Sequence, residues 1–307
     1  MLDLMIIGGG PGGVAAGVYA SRKRLKTAFI TKEWGGQSNV STDIQNWIGT
    51  PHISGLDFAK ALEEHLKEYA GDCLTVVENS NVTTVEKTDD GFKATLENGE
   101  THEAKAVLIT TGSKRRKLEV PGAEEFDQKG LTYCASCDGP LFSGQDVAVI
   151  GGGNAGFETA AQLLEYTKSV TLLHRRSEYK ADPVTVERVL SNEHMTAITN
   201  AHPTEIFGDK FVTGLKYKVG EDGEEQELNV SGVFVEIGLV PNTDFVKDIV
   251  NLDEYKRIEI DPWTQKTSTE GIWAAGDCTN IKYHQNNISA GDAVRALEDI
   301  YIHLRAK

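Results

Sequence analysis

Two thiols two residues apart, Cys134-Ala135-Ser136-Cys137, are followed at once by a carboxylate, Asp138. This spacing lets a cysteine pair close into a small, readily exchanged disulfide. A carboxylate at its flank can carry a proton as the thiols form. One glycine-rich turn precedes this stretch, Gly8-Gly9-Gly10-Pro11-Gly12-Gly13, and another follows it, Gly151-Gly152-Gly153-Asn154-Ala155-Gly156. In such turns the first glycine (Gly8, Gly151) permits the tight bend. The second (Gly10, Gly153) lets backbone N–H groups approach a pyrophosphate, and the third (Gly13, Gly156) lets helix and strand pack closely. The helix that follows, with Asn154 and Ala155 at its start in the second copy, offers unpaired donors and a positive dipole end to phosphate.

The elements that must hold these groups are legible on both sides. A strand over Leu2–Ile7, a helix over Pro11–Lys23 and a strand over Thr27–Ile30 form a βαβ opening. The pattern repeats as a strand over Asp146–Ile150, a helix over Ala155–Tyr166 and a strand over Val170–Leu173. Leu56–Tyr69 reads as an amphipathic helix with Leu56, Ala59, Leu62, Leu66 and Tyr69 on one face. Short strands are expected at Leu74–Val77, Asn81–Glu86, Phe92–Leu96 and Ala106–Thr110. Phe211–Val219 and Glu227–Val235 read as a strand pair. Ile272–Ala275 reads as a strand that ends in Gly276-Asp277, and Ala290–Arg305 as a closing helix. The predicted fold class is α/β with two Rossmann-like dinucleotide-binding domains, one inserted into the other. Residues 1–113 and 242–307 form the outer domain and 117–239 the inserted one.

The two nucleotide sites differ at the end of their second strand, where a carboxylate suits a ribose 2′-OH and arginine suits a 2′-phosphate. After Val170–Leu173 come His174-Arg175-Arg176, with Lys180 further on, and no acid occupies the strand end. Guanidinium forks match phosphate in geometry and charge, so this site reads as one for NADPH. The first site is then expected to hold the flavin. Its strand end, Ile30-Thr31, also lacks an acid, and Glu33 comes two residues later. The Thr31 hydroxyl or backbone donors near Gly35-Gly36 are expected to serve instead. Asp277 is expected to accept from a ribityl hydroxyl, with Gly276 allowing close approach. The whole reads as a path for electrons from a nicotinamide, through a flavin, to a dithiol. Cys137 lies 14 residues before Gly151. Dithiol and nicotinamide site therefore share the inserted domain, and a swing of that domain about its two crossings is expected to present each in turn.

Composition limits the alternatives. The chain has 307 residues, a formal charge of −15 and 25% charged residues. An acidic balance argues against a nucleic-acid partner, and no apolar run reaches the ~18 residues of a membrane span. The N-terminus enters a strand at once with no basic leader, so a cytoplasmic location is expected. Four cysteines do not make a secreted disulfide framework. No second Cys-x-x-Cys completes a zinc set, so no metal site is expected. Cys73 and Cys278 read as small packing groups. The run Lys114-Arg115-Arg116-Lys117 reads as a solvated linker or as a docking patch for an acidic partner.

These motifs, taken in order, resemble the low-molecular-weight, FAD-containing thioredoxin reductases. The resemblance runs the length of the chain through Gly8–Gly13, Gly35-Gly36-Gln37, Asn46-Trp47, Thr111-Gly112, Cys134–Gly139, Gly151–Asn154, His174-Arg175-Arg176 and Ala275-Gly276-Asp277. It implies a homodimer and a small dithiol protein, thioredoxin or one like it, as partner. It makes Cys137 the thiol that meets the flavin, Cys134 the interchange thiol and Asp138 the acid/base. It adds Gly36, Gln37, Asn46, Gly112, Gly276, Asp277, His284 and Gln285 as FAD contacts. Two segments and one single residue depart from its pattern. Pro140-Leu141-Phe142 stands where thioredoxin-reducing members carry paired aromatics, and is closer to the flavoprotein of alkyl hydroperoxide reductase. His284-Gln285-Asn286 replaces a more usual Arg-Gln-Ala, and Gly156 a common alanine. The peroxide-linked enzymes add an N-terminal dithiol domain, not found in these 307 residues, and favour NADH without the arginine pair. Three other readings stay open: a reductase of a glutaredoxin-like or peroxiredoxin-linked protein, a ferredoxin–NADP reductase (against which the cysteine pair counts), and a nucleotide-binding redox sensor.

Overall fold

The computed structural model describes residues 1–307 except Thr42, Asp43, Gln45, Cys134, Glu221, Ala306 and Lys307, and except the side chains of Val40, Ser136 and Cys137. The described residues divide into two compact units, 1–114 with 240–307, and 115–239.

Leu2–Gly9 (β1) is apolar on both faces, as a central parallel strand must be. It leads into Pro11–Arg22 (α1), whose proline sits in the first turn, where its missing N–H costs nothing. Thr27–Trp34 (β2) returns parallel to β1. It runs four residues past the expected end at Ile30, which carries Glu33 to the strand's carboxyl end. Gly55–Ala70 (α2) is capped by Ser54, whose Oγ accepts from the Asp57 N–H at 3.1 Å, a contact worth about 1 kcal/mol. Its buried face is Phe58, Ala59, Leu62, Leu66 and Ala70. Leu56 is 71% and Tyr69 42% exposed. The expected stripe was therefore rotated at both ends, where Phe58 and Ala70 take the buried places.

Leu74–Val77 (β3), Val82–Lys87 (β4), Phe92–Leu96 (β5) and Thr101–Ile109 (β6) complete the first stretch. Ser113–Arg115 (β7) carries the chain into the second unit. There Leu131–Thr132 (β8) precedes the short helix Ala135–Asp138 (α3). Asp146–Ile150 (β9), Asn154–Leu163 (α4) and Ser169–His174 (β10) form the second βαβ. Pro183–Leu190 (α5), Met195–Thr199 (β11), Ala201–Gly208 (β12), Val212–Val219 (β13), Glu225–Asn229 (β14) and Gly232–Val235 (β15) follow. Leu239–Pro241 (β16) leads back to Ile272–Ala274 (β17) and Asn286–Arg305 (α6).

Among the described residues, the first unit holds one sheet in the order β3-β2-β1-β6-β5-β4, with β17 also on β6. Strands β3, β2, β1, β6 and β17 are parallel, while β4 and β5 form an antiparallel flap. Alternate side chains of β1 serve opposite faces. Leu4 and Ile6 pack under α1, α2 and α6 with Phe29, Leu108 and Trp273. Met5 and Ile7 pack on the other side with Ile30, Val107 and Ile258. Each large apolar side chain buried this way contributes about 1.5–3 kcal/mol. The second unit repeats the scheme as a parallel sheet β11-β10-β9-β15-β8, beside an antiparallel sheet β12-β13-β14. The stretch Glu227–Val235 is not one strand. It breaks at Val230-Ser231; β14 pairs with β13, and β15 enters the parallel sheet beside β9. Gly232 marks the change of sheet, where a Cβ would lie 2.7 Å from the Phe142 ring. The two crossing strands, β7 and β16, pair with each other. No helix among the described residues is long and apolar enough to cross a membrane.

Candidate functional site

In the first unit the groups singled out from sequence gather at the carboxyl ends of the parallel strands, where open α/β sheets bind ligands. Gly8 has φ +123°, and a Cβ there would lie 2.3 Å from the Thr110 carbonyl oxygen. A Cβ at Gly13 would lie 1.8 Å from the Gly8 carbonyl oxygen. At Gly10, the N-cap of α1, a Cβ would meet nothing within 4 Å. The turn is thus closed on its protein side and open above the helix N-terminus. Gly36 packs on Gly10, and the space at Gly112 is likewise open. α1 has neither a side-chain cap nor an acid in its first turn, so its N–H donors and dipole are available to an anion.

The loop after β2 is tied to the start of α6. Asn46 Nδ2 donates to Gln285 Oε1 at 3.0 Å, Asn287 Nδ2 to the Asn46 carbonyl at 2.7 Å, and Ser38 Oγ to Asn286 Oδ1 at 3.1 Å. Gln37 Nε2 donates to the Ser113 carbonyl at 2.5 Å. Asp277 Oδ1 lies 3.7 Å from His284 Nδ1. Burial pushes the Asp277 carboxyl up, and the imidazole opposes this. Gln37, Asn46, Gly112, Asp277, His284 and Gln285 thus belong to one unit and one sheet edge. Thr31 does not serve as expected: it is buried, and its hydroxyl donates to the Glu33 carbonyl at 2.6 Å beneath Gly9. The Glu33 side chain is exposed at the end of β2, twenty residues beyond Gly13. That is the position and spacing of a ribose-binding acid. The underestimated length of β2 concealed it.

The second unit reproduces the geometry of the turn. Gly151 has φ +131°, and a Cβ there would lie 2.1 Å from the Glu236 carbonyl oxygen; a Cβ at Gly156 would lie 1.9 Å from the Gly151 carbonyl; Gly153, the N-cap of α4, is open. Asn154 and Ala155 are exposed at the helix start. Arg175, Arg176 and Lys180 are exposed, with no ion-pair partner among the described residues. His174 is different: it is 7% exposed, and both ring nitrogens are engaged within the protein.

β8 runs directly into the dithiol motif. Cys134 lies outside the described residues, as does the Cys137 side chain. Around them, the Thr132 hydroxyl donates to Asp138 Oδ2. A Cβ at Gly139 would lie 2.1 Å from the Tyr166 hydroxyl. Phe142 meets Phe234 edge-on at 5.4 Å, while Leu141 is 73% exposed. Cys278 is fully buried, which pushes its thiol up to about 12, an unreactive group. Cys73 is only half-buried. In the basic run, Lys117 Nζ pairs with Asp127 at 2.8 Å and Arg115 Nη1 with Glu236 at 3.4 Å. Those two charges serve the fold locally, leaving Lys114 and Arg116 exposed.

Glu236 is a second residue that sequence reasoning passed over. It ends β15, between the glycine turn after β9 and the motif after β8. Its carboxyl accepts from Thr159 Oγ1 at 3.1 Å. Burial pushes it up from its ordinary 4.5, and Arg115 opposes this. A raised carboxyl binds its proton more tightly in the folded chain. Its contribution is therefore favourable below 4.5 and is lost as pH rises through the raised folded value. Glu236→Gln keeps an acceptor for Thr159 without the buried charge. Thermal unfolding is expected to show a higher Tm for the variant at pH 8 and convergence with the parent near pH 4. A variant less stable at pH 8 would mean that the Arg115 pair outweighs the burial cost.

A pyridine nucleotide-disulphide oxidoreductase family profile matches residues 2–291. The chain belongs to that family. The F component of alkyl hydroperoxide reductase from Staphylococcus aureus strain MRSA252 is 44% identical over 294 residues, 96% of this chain and 57% of that protein. The chain thus spans little more than half the length of these curated relatives. Thioredoxin reductase of Lactococcus lactis superposes with a TM-score of 0.82 at 33% identity over 100% of both chains. That of T. acidophilum superposes with 0.78 at 37% identity over 98% of both. The family's cofactors are FAD and NADPH. The uncapped helix starts and the open space at Gly10 and Gly153 fit such ligands, whose pyrophosphate needs donors and room there.

Proposed function

We propose that the chain is an NADPH-dependent flavoprotein disulfide reductase that works through Cys134 and Cys137 on a small dithiol protein, thioredoxin in the first instance. The observation that carries this is the order of the inserted unit's sheet edge: phosphate-recognising arginines after β10, a glycine turn after β9, and a vicinal cysteine motif after β8. The full-length likeness to thioredoxin reductases supports it. The reading assigns FAD to residues 1–113 with 242–307, NADPH to 117–239, and a homodimer as the working form.

FAD, when bound, supplies the two-electron chemistry that connects a nicotinamide with a disulfide. The chain's own residues do the rest. Gly8, Gly10, Gly13 and Glu33 hold the dinucleotide, and Gln37, Asn46, Asp277, His284 and Gln285 orient it. Arg175, Arg176 and Lys180 select the phosphorylated ribose. Cys134, as thiolate, attacks the partner's disulfide and forms a mixed disulfide, which Cys137 then resolves. Asp138, held by Thr132, carries the proton released or taken up by the thiols. The net reaction converts NADPH, a proton and a partner disulfide into NADP⁺ and the two partner thiols.

A second reading has its own support. The identity with the F component of alkyl hydroperoxide reductase and the exposed Leu141 beside the motif favour a dithiol protein that serves a peroxidase. Steady-state turnover on thioredoxin, a glutaredoxin and a peroxidase-linked dithiol domain separates the two. Preference for thioredoxin by about tenfold or more in kcat/KM, or about 1.4 kcal/mol, is expected, and the reverse preference would install the second reading. Anaerobic reduction by NADPH at concentrations where NADH leaves the yellow colour intact is the matching cofactor test.

A further inference from the structure

The basic loop after β10 and the glycine turn after β9 are fastened to each other by an internal clamp. The Gly152 N–H donates to His174 Nδ1 at 3.1 Å, a buried contact. The Gly152 carbonyl accepts from the Lys180 N–H at 2.8 Å. One peptide position of the turn is therefore gripped on both sides by residues that bracket Arg175 and Arg176. An acceptor at Nδ1 requires the proton on Nε2, and Nε2 indeed faces the Glu178 carbonyl at 2.8 Å. The two contacts together select the neutral Nε2–H tautomer. The fit is steric as well: a Cβ at Gly152 would lie 2.5 Å from the His174 ring. A third tie comes from the helix start. Asn154 Oδ1 accepts from the Asp182 N–H at 2.8 Å, while Asp182 caps α5 through the Val184 and Thr185 N–H groups. Beyond the loop, the Arg176 carbonyl is held by the Asn200 N–H at 3.0 Å.

We propose that His174 and Asn154 are positioning residues rather than phosphate ligands: through Gly152 and Asp182 they fix the spacing between the turn that takes the pyrophosphate and the arginines that take the 2′-phosphate. This rests on the NADPH reading of the inserted unit. Its physical basis is preorganisation. A spacing set before binding removes the cost of ordering two flexible cations, and selectivity for the phosphorylated ribose depends on that spacing. Imidazole cannot touch phosphate here while both its nitrogens are spent inside the protein.

The test uses the flavin-loaded full chain and two probes that carry no nicotinamide, adenosine 2′,5′-bisphosphate and adenosine 5′-monophosphate. Each is titrated by calorimetry. The parent is expected to prefer the bisphosphate strongly. His174→Phe keeps the ring volume but strands the buried Gly152 N–H, and is expected to lower that preference by about tenfold. His174→Asn places an amide oxygen near the former Nδ1 acceptor and is expected to restore most of it; His174→Lys, a cation without that acceptor, is not. Asn154→Ala, at an exposed site, is expected to reduce the preference without loss of Tm and covers the case in which His174→Phe unfolds. Rescue by lysine but not asparagine, or an unchanged preference in both His174→Phe and Asn154→Ala, would overturn the proposal. A parent that binds the two probes alike, with Arg175→Ala and Arg176→Ala silent, would overturn the NADPH reading beneath it.

Discussion

Cys134→Ser is expected to abolish reduction of a protein disulfide while leaving the protein yellow and reducible by NADPH. The loss should be on the order of 10³-fold or more, the scale on which removal of an attacking nucleophile acts. A serine hydroxyl is not ionised at neutral pH and has no sulfur chemistry, so no mixed disulfide forms. The effect should not extend to the cofactor sites, which the proposal places at Gly8–Gly13 and Gly151–Gly156, in other parts of the chain. An anaerobic titration gives the cleanest readout. The parent should consume about two equivalents of NADPH per flavin, one for the ring and one for the disulfide; the variant should consume about one. Undiminished protein reduction by Cys134→Ser, or parent and variant with equal stoichiometry, would remove the cysteine pair from the reaction.

Gly13→Ala and Gly10→Ala should differ sharply although they stand three residues apart. At Gly13 the new methyl would lie 1.8 Å from a backbone oxygen and 2.8 Å from Thr110 Oγ1. Neither is a flexible chain end, so α1 must move off β1, at a cost of several kcal/mol. Low soluble yield, or a Tm depressed by about 10 °C, is expected. At Gly10 the methyl would meet nothing within 4 Å, at φ −80°. The apoprotein should therefore keep its Tm, while the methyl occupies the approach to the helix N-terminus. FAD affinity should fall by about 10²-fold, as when a close backbone–phosphate approach is blocked. Differential scanning fluorimetry of the apoprotein, paired with FAD rebinding followed by flavin fluorescence, separates the effects. If Gly10→Ala rebinds FAD as the parent does, the open space above α1 is not where its pyrophosphate lies.

The fold class was legible because the signals were local and repeated. An apolar strand, three glycines and a helical run occur twice, and the turn geometry at Gly8–Gly13 matches that at Gly151–Gly156. What escaped depended on partners distant in sequence. β2 continues past Ile30 because its later residues pair alongside Gly9, which no local pattern announces. Glu33 therefore lies within the strand rather than beyond it, and the Thr31 hydroxyl is committed to the Glu33 carbonyl. The stretch Glu227–Val235 serves two sheets; Asn229 and Ser231-Gly232, poor strand formers, stand at the break, but which sheet each half joins is settled by the ladders. His174 sits in a phosphate-binding pattern, yet its burial decides its partners. Glu236 had no visible signal because an acid beside an apolar strand ordinarily reads as a solvated edge.

The paired crossing strands, Ser113–Arg115 and Leu239–Pro241, have a consequence for the chain's history. A 125-residue excursion that departs and returns through neighbouring backbone leaves the interrupted sheet with no gap to bridge. Such a joint behaves as a socket. Insertion or exchange of a whole unit is best tolerated where the chain leaves and re-enters at one place, because the outer unit need not adapt its own core to receive it.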